Sequence, residues 1–350
     1  MKKGLFVLLA ILISGCSEYT EPQESDIAVF ERFLSEVTIS SDKNTINVAS
    51  LYHPQNKLFD AVLAIQRNHW SKAIKELTPY AEKKDPDALF WLAQISYGSN
   101  PTENIKAGKM MLESAQLGNP YAALMFDPDN IICQRYFSRY CDKKWVSEAK
   151  AILAKQAEKG DVRAIFYTKK FKGNHDVYIN AIIEAAKNNY YYPLVEYAND
   201  ILNNSDSDKE MKILAVKLLN KSREAKFIPA IDSLIFYKEK NRRVKIKNTK
   251  EVIDYDREYY ELINEGYQLG SNYAWNMSFL LSLDNKKLSD YDLYVKATAS
   301  NLFNRNKHSL SLVKLITDSK KIEQANCKAQ EIVDSIPKII YIDGTHPTVD

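Results

Sequence analysis

Glycine and proline are scarce in this sequence. Its 350 residues include ten glycines and eleven prolines, whereas leucine, alanine, lysine and glutamate are abundant. The abundant residues are good helix formers, so the composition favours helices over a β-rich fold. The length is sufficient for one large or two smaller hydrophobic cores.

Catalytic motifs are also missing. The sequence contains no Gly-x-Ser-x-Gly, no phosphate loop with Gly-Lys-Ser/Thr, no His-Glu-x-x-His and no dinucleotide fingerprint. Its five histidines are scattered, and it has no Cys-x-x-Cys that would suggest zinc. Aspartates two residues apart are better explained by helix starts and turns than by the paired carboxylates of a glycosidase. We therefore expect no enzyme, no catalytic residue, no cofactor and no metal site.

The first sixteen residues have the layout of a secretion signal. Lys2 and Lys3 precede an unbroken apolar run over residues 5–13, and the small residues Ser14 and Gly15 follow it. A positive start, an apolar stretch and small residues, in that order, are typical of a cleaved signal peptide. The run is shorter than the roughly 20 residues that a membrane-spanning helix needs.

The four residues Ile13-Ser14-Gly15-Cys16 resemble the bacterial lipobox. In that family the cysteine thiol receives a diacylglycerol, the signal is cut before it, and the new amine is acylated. The resemblance implies that residues 1–15 are removed and that Cys16 anchors the protein in the membrane. Ser17, where the usual sorting pattern has Asp for retention, implies the outer membrane facing the periplasm. An ordinary cleaved signal with a chance cysteine is the alternative.

Removal of the signal leaves a nearly neutral chain. The sequence has 48 basic and 45 acidic residues, and loss of Lys2 and Lys3 leaves 46 against 45. This balance predicts no nucleic-acid partner. Export places the remaining cysteines where disulfides are permitted. Cys133 and Cys141 are close enough in sequence to close a local loop, or else they are two buried thiols, and Cys327 is expected to be unpaired and buried.

A pattern recurs along the middle of the chain. Its clear copies, at residues 77–89, 112–124 and 153–165, each have two alanines seven apart around a turn. Weaker copies follow at residues 186–193, 222–229 and 267–274. In the turns, glycine can adopt the left-handed conformation that ends a helix, and Asp or Asn can cap the next one. The alanines allow close helix contact, and the packing residues are Ala81, Ala88, Ala115, Gly118, Ala122, Ala157, Gly160 and Ala164.

The run Ala81, Asp85 and Ala88, then Tyr97-Gly98 and Lys106-Ala107, resembles the Sel-1-like repeat family, a relative of the tetratricopeptide repeats. The resemblance implies an all-α fold, a right-handed α-solenoid of antiparallel helix pairs. The residue pattern places a tether and a short helix in residues 16–50, and the repeats place their domain in 51–336. The best repeats lie within 70–170 and degenerate ones within 171–320, and a short extended tail occupies 337–350.

The same resemblance implies a protein that binds another protein. Exported or lipidated proteins of this kind often resemble immunity proteins, which neutralise a periplasm-acting toxin delivered by a type VI secretion system. An envelope assembly or signalling scaffold is the alternative, and a cell-wall enzyme is a further one. The identity of the partner does not follow from the sequence.

Two segments are candidates for contact with a partner. Residues 238–250 carry seven basic side chains, with Arg242, Arg243 and Lys245 at the centre. They form either a solvated extension between helices or a docking site for an acidic partner or phospholipid headgroups. The run Tyr190-Tyr191-Tyr192 lies at a repeat turn, where it either packs on the next repeat or forms a contact patch.

The C-terminal tail differs from the repeats. Residues 337–344 have strand character and end in a turn signal. The segment either lies against the last helices or hangs free, and its apolar residues 339–342 favour docking.

Lipidation at Cys16 is directly testable. We expect Cys16→Ser to abolish labelling by radioactive palmitate in growing cells, because the thiol that accepts the diacylglycerol is gone. Continued labelling of the variant would contradict the anchor, and Cys327→Ser, which leaves Cys16 intact, is the matched control.

Overall fold

A computed structural model of the chain describes residues 19–37, 52–249, 257–284 and 288–347. The expected signal and Cys16 lie outside the described residues, as does most of the segment between the first two helices. Within these ranges the chain is all-helical and no strand is present. No helix there is long and apolar enough to cross a membrane.

The helices are α1 (Asp26–Glu36), α2 (Phe59–Gln66), α3 (Trp70–Glu82), α4 (Pro86–Ser96), α5 (Pro101–Gln116), α6 (Pro120–Leu124), α7 (Ile131–Tyr136), α8 (Lys143–Glu158), α9 (Val162–Lys170), α10 (His175–Lys187), α11 (Tyr192–Asn203), α12 (Lys209–Glu224), α13 (Ile228–Thr249), α14 (Arg257–Leu269), α15 (Asn272–Asp284), α16 (Asp290–Asn304), α17 (Lys307–Ser311) and α18 (Ser319–Asp334). A short 3₁₀ helix, Ser138–Tyr140, follows α7.

One turn geometry recurs at all six copies of the sequence pattern. A residue with positive φ ends the first helix, and the next backbone N–H donates to the carbonyl five residues earlier. This bond satisfies a carbonyl that the end of the helix leaves free. The positive-φ residues are Lys84, Gly118, Gly160, Asn189, Lys226 and Gly270. The weak copies therefore keep the turn, and the repeat register continues beyond residue 170.

The predicted caps and buried alanines are confirmed in part, but Gly118 and Gly160, which were predicted to pack between helices, lie exposed in the turns, so that prediction was wrong. The Asp85, Asn119 and Asp161 side chains accept hydrogen bonds from backbone N–H groups in the first turn of α4, α6 and α9. The alanines that follow the turns are fully buried, whereas two of those before the turns are half-buried. The buried ones are Ala88, Ala115, Ala122 and Ala164, and the half-buried ones are Ala81 and Ala157.

Neighbouring helices contact each other along the chain from α2 to α16, so the fold is a helical-repeat stack. Its handedness and the antiparallel arrangement of each pair stay predictions. The two ends of the stack also meet. His69 Nε2 lies 3.0 Å from the Phe303 carbonyl oxygen, and the Arg67 guanidinium lies 4.5 Å from the Phe303 ring centroid. The stack therefore closes on itself, which no local sequence pattern indicates.

The N-terminal segment packs against the stack and contributes Phe30 and Phe33 to its core. The predicted helix is confirmed as α1, which packs against α10 and α12. Tyr197 Oη donates to the buried Asp26 carboxylate at 2.7 Å, and His175 Nε2 lies 2.8 Å from the same carboxylate. His175 Nδ1 also lies 2.9 Å from the Tyr19 carbonyl oxygen. The predicted tether is therefore shorter than expected, since the chain is held against the stack from Tyr19 onward.

The cysteines follow the prediction in part. Cys133 and Cys141 form a disulfide, with their Cα atoms 6.0 Å apart. Cys327 is unpaired, but it is exposed on α18, so its expected burial was wrong. The repeat pattern does not extend to α18, and the position of a single cysteine there carried no periodic signal for burial.

The buried alanines make overpacking a direct test of the repeat contacts. Ala122 is fully buried between helices, so Ala122→Trp should lower the free energy of unfolding by about 1–3 kcal/mol. Chemical denaturation measures this. The control is Ala151→Trp at an exposed position of α8. Equal stability of the two variants would contradict a helix contact at Ala122.

Candidate functional site

The central residues of the C-terminal tail (residues 337–347) run through the interior of the closed stack. Ile340, Tyr341 and Ile342 are 5, 4 and 0% exposed. The predicted docking is therefore confirmed. The tail contacts helices from both ends and from the middle of the stack, instead of the last helices alone. It is extended but pairs with no strand among the described residues.

Side chains of the stack bind the main chain of the tail. The backbone N–H groups of Tyr341 and Ile342 donate to Gln66 Oε1 at 2.7 and 3.3 Å. Gln66 Nε2 donates to the carbonyl oxygen of Ile339 at 2.9 Å. Asn272 Nδ2 donates to the main-chain oxygen of Gln66, which joins α15 to α2 beneath the tail. Backbone groups that a sheet would normally pair are thus satisfied by side chains.

The tyrosine run belongs to this contact. Tyr190, Tyr191 and Tyr192 are all buried. Tyr192 Oη donates to the carbonyl oxygen of Tyr341, and Tyr190 Oη donates to an Asp343 carboxylate oxygen at 3.4 Å. Of the two interpretations of this run, the structure supports packing. Tyr190 and Tyr192 hold the tail, and Tyr191 packs on Phe227, so the three do not form an exposed patch for a partner.

His346 fastens the end of the tail. Its Nε2 lies 2.8 Å from Glu196 Oε1 and its Nδ1 lies 3.1 Å from Asp343 Oδ1, while the ring stacks on Tyr192 at 3.7 Å. Burial lowers the pKa of His346, but the two carboxylates outweigh it and raise this pKa to about 9. Burial opposes ionisation of Asp343 and Glu196 as well, but the imidazolium holds the pKa of each below its ordinary value.

Gly344 makes the closest approach in the tail. A Cβ atom added to this residue would lie 2.2 Å from the Tyr121 ring of α6. Only glycine leaves room for that ring, so the tail fits this part of the stack in one register. Gly344, which the sequence analysis took as a turn signal, is therefore also a packing contact.

A cavity of about 590 Å³ lies beside the end of the tail. Its walls come from α11, α13, α15 and the tail, which contributes Tyr341 and residues 345–347. Aromatic side chains line much of it, and polar groups converge on the rest. The aromatic ones include Tyr192, Phe236, Tyr237 and Tyr273, and the polar ones include Glu196, Asn199, Asp232, Ser233 and Lys240. This volume and mixture are typical of ligand sites.

Asp232 is the most unusual group in the cavity wall. Ser271 Oγ donates to its Oδ1 at 2.6 Å, and burial raises the pKa of Asp232 to about 7. Sequence reasoning missed Asp232, Glu196 and His346. They lie far apart in the chain, and a lone acid or histidine carries no signal until the fold brings it to others.

The basic segment lies on a continuous helix. α13 extends to Thr249, so the segment begins as a helix and not as an irregular extension. Arg243 Nε lies 2.6 Å from a carboxylate oxygen of Glu239, and Arg242 lies 3.8 Å from the other. Lys245 is exposed. The predicted binding residues are thus not brought together, since the tyrosines are interior and these cations lie on the outer part of α13.

In the ranges that the structure describes, no three His, Cys, Asp or Glu side chains are grouped as a metal site requires. No protein-family model matches the chain, and no curated protein matches it significantly.

The His346 contacts predict a pH-dependent stability. Because the folded pKa of His346 is raised to about 9, its contribution is fully present below its unfolded pKa and is lost as pH rises through 9. Asp343 and Glu196 have lowered pKa values, so their contribution to stability is lost as pH falls below the ordinary carboxyl range.

Between pH 6.5 and 9.5, the native chain should lose on the order of 2 kcal/mol of unfolding free energy through this group. Chemical denaturation across this range checks it. His346→Gln should flatten the profile, whereas His308→Gln at an exposed position should not. An unchanged slope in His346→Gln would contradict the assignment.

Proposed function

We propose that the protein is a lipid-anchored lipoprotein of the bacterial envelope that binds another protein at the mouth of the cavity. The observation that carries this proposal is the cavity itself. Phe236 lines it and is 54% exposed, so a large apolar side chain lies open to solvent beside a concave site. Exposed aromatic groups next to pockets are typical of the central contacts of protein interfaces.

The envelope location is supported by the N-terminal sequence. Only Ser17 and Glu18 separate Cys16 from Tyr19, which His175 holds against the stack. Three residue steps span at most about 11 Å in an extended chain. A lipid on Cys16 would therefore keep the α1 side of the stack next to the outer membrane, and the domain would have little freedom to swing away from it.

A narrower version of the proposal is an immunity protein against a periplasm-acting toxin delivered by a type VI secretion system. Its support is the resemblance of the repeats and the signal. Such a protein needs a tight complementary surface and no chemistry of its own. A scaffold for envelope assembly or signalling would use the same surface for a resident partner. Protection of cells against a co-expressed toxin separates the two.

Site-specific photo-crosslinking in native envelopes tests the contact. A benzophenone amino acid at Phe236 should give a discrete crosslinked product, whereas the same group at Ile131, which is 68% exposed on α7, should not. Ser233→Trp, which fills the cavity from α13, should remove the product while the circular dichroism spectrum stays unchanged. A product that persists in Ser233→Trp, or equal products at both positions, would contradict this binding surface.

A further inference from the structure

The carboxylate of Asp232 opens on the cavity without a cationic partner. Ser271 Oγ donates to Oδ1, and Ala274 N donates to Ser271 Oγ at 2.9 Å, so this side of the group is fixed. Among the described residues, no Lys, Arg or His side chain forms an ion pair with Asp232. Ionisation of a half-buried carboxylate has a desolvation cost, and here no opposite charge offsets it. Burial accordingly raises its pKa to about 7.

The other charges around the cavity are already engaged or lie at its edge. Glu196 and Asp343 both contact His346, so one imidazolium balances two carboxylates and the group keeps a net negative charge. Lys240 lines the cavity but is exposed. Tyr192 and Tyr341 also face Asp232, and burial raises the pKa of both hydroxyls, so they stay neutral. The interior of the cavity therefore favours a positive charge.

Aromatic rings supply the rest of the wall. Tyr237, Tyr273 and Phe236 line the cavity together with Tyr192. Aromatic faces attract a cation through their quadrupole, and they also cover the apolar part of a ligand. A carboxylate with an aromatic surround in a cavity of about 590 Å³ is suited to a charged nitrogen on an apolar stem.

We propose that the cavity binds an organic cation, a primary ammonium or guanidinium group whose N–H donors contact Asp232 and whose stem packs on the aromatic wall. The cation is either the Lys or Arg side chain of a protein partner or a free small amine. The first source rests on the proposed function, because it takes the cavity as the contact site of the partner. The second does not.

Binding of such a cation depends on pH in a defined direction. Only the ionised form of Asp232 attracts it, so the affinity should rise about tenfold per pH unit below 7 and level off above about 8. An alkylammonium or guanidinium keeps its charge throughout this range.

Isothermal titration of the full mature protein with benzylamine, and with the uncharged benzyl alcohol, tests the proposal. At pH 8, benzylamine should bind at least tenfold more tightly than benzyl alcohol, and Asp232→Asn should remove this difference in affinity. Asp60→Asn, at an exposed position of α2, should leave it unchanged. Equal affinity for the two probes, no binding at millimolar benzylamine, or an unchanged affinity in Asp232→Asn would overturn it. A benzylamine affinity of the native protein that does not change between pH 5 and 8 would also overturn the proposal.

The blocked residue N-acetyl-arginine methylamide separates the sources. Binding of this probe that depends on Asp232 supports a basic side chain of a partner, whereas binding of benzylamine alone supports a free amine. Failure of crosslinking at Phe236 with intact amine binding would refute the proposed function alone. Crosslinking without any amine binding would refute this inference alone.

Discussion

Gln66 binds the main chain of the tail at three atoms, the carbonyl of Ile339 and the amides of Tyr341 and Ile342. An extended segment carries unpaired backbone groups, and burying each of them without a partner costs about 1–3 kcal/mol. Tyr192 contributes one more bond, to the Tyr341 carbonyl. The tail can occupy the interior only because these side chains replace the hydrogen bonds that its backbone would otherwise form with water.

The same contact joins the two ends of the stack. Gln66 belongs to α2, near the start of the repeat domain, and its main-chain oxygen accepts a bond from Asn272 at the start of α15. A stack of helices has two exposed apolar ends, which neighbours or caps must cover. In this chain the ends cover each other, and the tail fills the space between them. The stack thus differs from an open solenoid, in which the two ends lie apart.

The cavity beside the tail, which is the site proposed for a partner, depends on the tail for part of its wall. Thr345, His346 and Pro347 line it together with α11, α13 and α15. His346 is held there by Glu196 and Asp343. Closure of the stack, docking of the tail and formation of the cavity are thus parts of one arrangement, and Asp232 acquires its unusual environment from all three.

The sequence by itself determined the helical class and the turns, and it made the disulfide one of two alternatives, because these depend on neighbours in the chain. Positive φ at Gly118, a cap at Asp161 and a short loop between Cys133 and Cys141 follow from local chemistry. The tertiary structure decided the burial of Tyr190–Tyr192, the path of the tail and the cavity around Asp232. These bring together residues up to 276 positions apart, such as Gln66 and Ile342, and no local pattern records which distant surfaces meet.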